Sequence, residues 1–123
     1  MVSAATSMRV TALLHVNVEV TDLERALAFY RRFGLEEVPR RGTPGRSGAW
    51  LRFPDGKELH VSVGTAKPEG RAHLAILVED LEAARTVLAE AGAPFESERD
   101  LPGMRRFFTR DPDGNRLEIV QQI

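Results

Sequence analysis

From Leu13 to Val20 apolar and polar residues alternate, with Leu14, Val16, Val18 and Val20 on one side and His15, Asn17 and Glu19 on the other. That period of two predicts a strand with one buried face. The period then changes. Thr21-Asp22 offers a helix start, Asp22 as N-cap or Thr21 with Glu24 as a capping box. Leu23, Ala26, Leu27 and Tyr30 follow at helical spacing, and Gly34 stands where a left-handed cap is wanted. Strands are predicted at Leu35–Arg41, Ala49–Phe53 and Lys57–Val63, separated by a glycine-rich loop at 42–48 and a hairpin turn at Pro54-Asp-Gly56.

After a linker at Gly64–Gly70 the same grammar returns. It comprises a strand at Ala72–Val78, a cap at Asp80, a helix over Leu81–Ala91 and Gly92. Strands near Pro94–Glu98 and at Met104–Thr109, the turn Pro112-Asp-Gly114 and a last strand complete it. Moving the chain by 58 residues and comparing 15–65 with 73–123 gives 15 identities in 51 pairs. Ordinary composition would give roughly three. The chain is a doubled β-α-β-β-β unit, an α+β protein whose halves are expected to span 8–66 and 70–123 behind a frayed lead at 1–7. Met8 is a candidate alternative start.

Length and charge narrow what such a unit does. A chain of 123 residues supports one domain, so the two copies are expected to share a sheet or to pair with copies in a second subunit. Seventeen basic residues against 18 acidic ones leave no electrostatic case for nucleic acid or an anionic membrane. No apolar run is long enough to span a bilayer. The absence of cysteine removes thiolate and disulfide chemistry and fits a cytoplasmic home.

Chemistry enters through the strand residues that break the aliphatic register. His15 and His73 occupy repeat-matched positions, and so do His60 and Glu118. A helix covering the aliphatic faces would leave all four on the free faces of the sheets. These are all three histidines of the chain, joined by one carboxylate. Imidazole with carboxylate suits Zn, Fe, Ni, Co or Mn. A strand histidine standing alone is more often hydrogen-bonded surface or core; symmetric placement of three is what favours metal. Glu58 shares His60's face and is an alternative ligand or an orienting partner. Tyr30, Trp50 and Arg105 are candidate substrate-binding residues of a pocket wall, against the plainer fates of core packing and exposure.

The order His15, Asp22-Leu-Glu-Arg-Ala-Leu-Ala-Phe-Tyr30, Gly34-Leu35, Glu58-Leu-His60, His73, Val78-Glu-Asp80 and Asp111-Pro-Asp-Gly-Asn-Arg-Leu-Glu118 resembles the vicinal oxygen chelate superfamily. That superfamily includes glyoxalase I, bleomycin-resistance proteins, fosfomycin-resistance enzymes, methylmalonyl-CoA epimerase and extradiol dioxygenases. The resemblance covers nearly all of the chain after Met8. It implies two tandem βαβββ modules forming a cup-shaped mixed sheet around a divalent metal, with ligands from the first and last strand of each module. Carried over, these are His15, His60, His73 and Glu118, with Glu118 able to serve also as a base. The superfamily often has Glu or Gln at the His60 position, so His60 departs from its pattern. The implied activity is that of a small metal-dependent lyase, isomerase or dioxygenase, a homodimer chelating vicinal oxygens of a small substrate. The alternative is a metal-free drug-binding protein of the bleomycin-resistance branch.

Overall fold

A computed structural model describes residues 8–42, 47–68 and 70–123. The expected lead at 1–7 and most of the loop at 42–48 lie outside the described residues. Strands β1 (His15–Val20), β2 (Glu36–Val38), β3 (Gly48–Arg52) and β4 (Glu58–Val63) form one sheet in the order β1-β4-β3-β2. Strands β5 (His73–Leu77), β6 (Met104–Arg110) and β7 (Arg116–Gln122) form a second, in the order β5-β7-β6. Helix α1 (Leu23–Tyr30) follows β1, and α2 (Leu81–Glu90) follows β5. Each sheet is mixed, because the helix crossover makes its first and last strands parallel while the hairpin makes the other pairing antiparallel.

The doubling holds at the level of single ladder pairs. His15 faces Glu58, and 58 residues on His73 faces Arg116; Trp50 faces His60, and Phe108 faces Glu118. Both helices start as their sequences indicate. Asp22 accepts from Arg25 N and Asp80 from Ala83 N, each at 3.1 Å, which satisfies an amide the first turn leaves open. A 3-10 turn at Arg31–Phe33 extends α1 and ends at Gly34, whose φ of 73° suits glycine.

One expected strand is largely missing. Only Glu96 bridges to Phe108 where a strand over Pro94–Glu98 was anticipated. Glu96 is the repeat mate of Val38 in β2, but the mate of Glu36 is Pro94, which has no N–H to give a ladder. The Pro94 carbonyl instead accepts from the Thr109 hydroxyl at 2.7 Å.

The core gathers the aliphatic register of both sheets against both helices, with Val20, Leu51, Leu59, Leu117, Ile119, Leu81 and Leu88 almost fully buried. A polar latch joins the halves. The turn at Asp111–Asn115 reaches module one through Tyr30, whose hydroxyl donates to Asp111 Oδ2 at 2.7 Å, and through Thr21, donating to Asp113 at 2.6 Å. Asn115 Nδ2 also donates to the Glu19 carbonyl at 2.9 Å. The repeat mates of Tyr30 and Asp111 are Leu88 and Phe53, and these line an apolar cavity of about 380 Å³ beside α2.

Candidate functional site

On the face of the first sheet away from the helix, β1, β4 and β3 place three rings side by side. His15 stacks on His60 with centroids 3.9 Å apart, and Trp50 stacks on the other side of His60 at 4.1 Å. The Arg41 guanidinium covers Trp50 at 4.7 Å. The stack follows the strand order because directly opposed and diagonal side chains on one face lie within ring-stacking reach. Glu58 belongs to the same face. It accepts from His60 Nε2 at 2.9 Å and Arg52 at 3.0 Å, with Arg41 at 3.7 Å. The His60 hydrogen bond, then the one from Arg52, holds the Glu58 carboxyl below its ordinary range. Since an ionised carboxylate only accepts, His60 Nε2 is the donor in this pair.

The matching face of the second sheet carries charge in place of rings. His73 Nδ1 lies 2.8 Å from the Arg71 carbonyl and Nε2 lies 3.1 Å from Glu118 Oε1. Arg106 Nη1 donates to the other Glu118 oxygen at 3.1 Å. Phe108 floors this group, with the His73 ring edge-on at 5.2 Å and the Arg116 guanidinium carbon over it at 3.7 Å. Arg106 stands at the repeat position of Gly48. A Cβ at Gly48 would run into the Val61 carbonyl oxygen, so module one has no room for such an arginine.

His15, Glu58 and His73 line one cavity of about 550 Å³ between the outer edges of β1 and β5, most of its other walls being apolar. Among the described residues no group of three or more His, Cys, Asp or Glu is close enough to hold a metal ion. One chain therefore brings His15 to His60 and His73 to Glu118, but does not gather the four about one point.

Two expected pocket residues lie elsewhere. Tyr30 is fully buried, its hydroxyl bound to Asp111; burial and that carboxylate push its phenol far up, so it stays protonated and structural. Arg105 shares the parity of the core residue Phe107, points to the helix side and pairs with Glu82 at 3.4 Å. Trp50 does lie on the histidine face. The arginines beside Glu118 are Arg106 and Arg116. Arg116 was legible, being two residues before Glu118 and so on its face; Arg106 needed the register across the Pro112-Asp-Gly114 turn.

The sequence profile of the Glyoxalase/Bleomycin resistance protein/Dioxygenase superfamily matches residues 12–119. The chain belongs to that superfamily. Its members include metal-dependent enzymes and resistance proteins, bind small molecules and are often dimers. Among solved structures it is similar to a glyoxalase family protein from Bacillus anthracis, 29% identical, with a TM-score of 0.83 over 95% of this chain and 99% of that one. The fosfomycin resistance protein FosX from Listeria monocytogenes shares the fold at 20% identity and a TM-score of 0.80, over 94% of each chain. Lactoylglutathione lyase from Agrobacterium tumefaciens shares it at 23% identity and 0.71, over 93% of this chain and 96% of that one. No curated protein matches the sequence.

Proposed function

We propose that the protein is a small metal-dependent enzyme of the glyoxalase or dioxygenase type, working as a homodimer on a small substrate with two adjacent oxygens. One observation carries this reading. The Arg71 carbonyl can only accept, so His73 Nδ1 donates to it and Nε2 is the nitrogen that faces the Glu118 carboxylate, two electron-pair donor atoms 3.1 Å apart. Two such donors repel unless a second proton or a metal ion joins them. Ligands at 2.0–2.2 Å from an ion sit about 3.3–3.6 Å apart in tetrahedral geometry and about 2.8–3.1 Å apart in octahedral geometry, so the pair at 3.1 Å lies near the spacing of two neighbouring ligands. The residues present fit a divalent ion.

His73, Glu118, His15 and His60 are the proposed ligands, with Zn, Fe, Ni, Co or Mn as candidate metals. Since one chain forms two pairs, the full set is reached by apposing the first module of one copy to the second module of another. The outer edges of β1 and β5 support such pairing, since Leu14 and Leu77 are 75% and 61% exposed along them. When bound, the ion would supply Lewis-acid polarisation of the chelated oxygens. The chain's own work is then to orient and move a proton. The Arg71 carbonyl accepts from His73 Nδ1 and orients its ring, Arg106 holds Glu118 by Oε2, and Glu118 would take a substrate proton only with Oε1 free of the ion. A lyase, an isomerase and a dioxygenase all fit, in the cytoplasm, as parts of this reading.

That no three-ligand cluster forms among the described residues of one chain favours a second reading, a metal-free protein that sequesters a small molecule. Elemental analysis and calorimetric titration with Zn, Mn, Ni, Co and Fe separate them. Close to one ion per chain, or per shared site, supports the enzyme. No uptake after reloading with all five overturns it.

A further inference from the structure

We infer that Arg116 is the receptor for an anionic group on the substrate, so that the ligand of this protein is an acid. The inference rests on the free face of the second sheet being the substrate side, as the proposed function has it.

Arg116 is held but not used. Its guanidinium carbon lies over Phe108, 3.7 Å from the ring centroid, and its side chain is 12% exposed. The nearest carboxylates, Glu96 and Glu98, stand at 3.9 Å and 4.0 Å, separations that steady a cation without forming a hydrogen bond. Among the described residues none of its five N–H donors meets an acceptor at hydrogen-bond distance. The other arginines of this face differ. Arg106 spends Nη1 on Glu118 at 3.1 Å, and Arg110 spends Nε on Glu96 at 2.9 Å and Nη1 on the Gly114 carbonyl at 3.0 Å.

The repeat makes the contrast internal. The mate of Arg116 is Glu58, a carboxylate consumed by His60 and Arg52. At the position where module one closes a network upon itself, module two presents a cation that is ion-paired to Glu96 and Glu98 at 3.9 and 4.0 Å but makes no hydrogen bond to them. Its ladder partner is His73, and Glu118 lies two residues along the same strand. A planar fork set over a ring suits bidentate binding of a carboxylate, with most of its ordering cost already met.

Arginine Nε–H resonances of the metal-free full-length protein, followed during titration with malonate, test this directly. Malonamide serves as the neutral isostere and sodium chloride as the ionic-strength control. The Arg116 resonance is expected to move saturably with malonate and with neither control. Arg116→Gln should weaken malonate at least about tenfold, and Arg116→Lys nearly as much, because a point charge cannot reproduce the fork. An Arg116 resonance that malonate does not move saturably overturns the inference, as does undiminished malonate binding in Arg116→Lys. So does a change of sedimentation in Arg116→Gln, which would make Arg116 a contact between copies. Metal uptake is read separately, so this inference and the metal assignment can fail independently.

Discussion

The two modules share one ladder register and fill it with different chemistry. In the first, His15, His60, Trp50 and Arg41 lean on one another and Glu58 closes the network. In the second, His73 and Glu118 face each other at 3.1 Å while Arg106 and Arg116 flank them. Backbone hydrogen bonds and the aliphatic core ask only for parity, so the duplicated positions on the free face were able to diverge. One half became a rigid wall and the other a set of presented groups.

The sharpest way to break this comparison is metal affinity. His73→Ala or Glu118→Ala is expected to weaken metal binding about 100-fold or more, and His60→Ala about tenfold or less, because His60 already spends Nε2 on Glu58. Calorimetry with an unchanged circular dichroism spectrum checks both. Equal losses would show that the halves contribute alike. Next comes the latch. Tyr30→Phe removes one donor from buried Asp111, which keeps those of Asp113 N, Asn115 N and Asn115 Nδ2. The expected cost is roughly 1–3 kcal/mol, toward the lower end, in urea unfolding.

Trp50→Ala should lose about 0.5–1.5 kcal/mol beyond its burial and shift the His60 ring-proton resonances, as unstacking requires. Unmoved resonances would show that Trp50 does not hold the ring. The smallest effect is a pH dependence. Glu58 is held below its ordinary value of 4.5, chiefly by His60, so its contribution is present above that value and lost as pH falls through the lowered one. Glu58→Gln should therefore flatten the acid limb of stability below about pH 4.5, seen as a smaller fall in melting temperature than in the parent.

Local pattern carried most of the fold. Period two, the two Asp caps and the Pro-Asp-Gly turns depend on neighbours in sequence, and each lies where the residues place it. Pro94 was the exception, since its cost appears only when a partner strand asks for its missing N–H. The site was legible where it depended on the repeat, which singled out His15, His60, His73 and Glu118. Arg106 and Arg105 are neighbours whose roles exchange with one step of register, and that register is set across a hairpin. Tyr30 sat on the apolar stripe from the start; only its hydroxyl suggested a pocket, and a buried carboxylate claims it instead.

The Gly48–Arg106 pair fixes the direction in which this duplication has drifted. In the first half no point change could install the counterpart of Arg106, because the Val61 carbonyl occupies the space a side chain at Gly48 needs. A chimera of two second halves meets no such obstacle. It would, however, set Leu88 where the Tyr30 hydroxyl meets Asp111, so neither half replaces the other without loss.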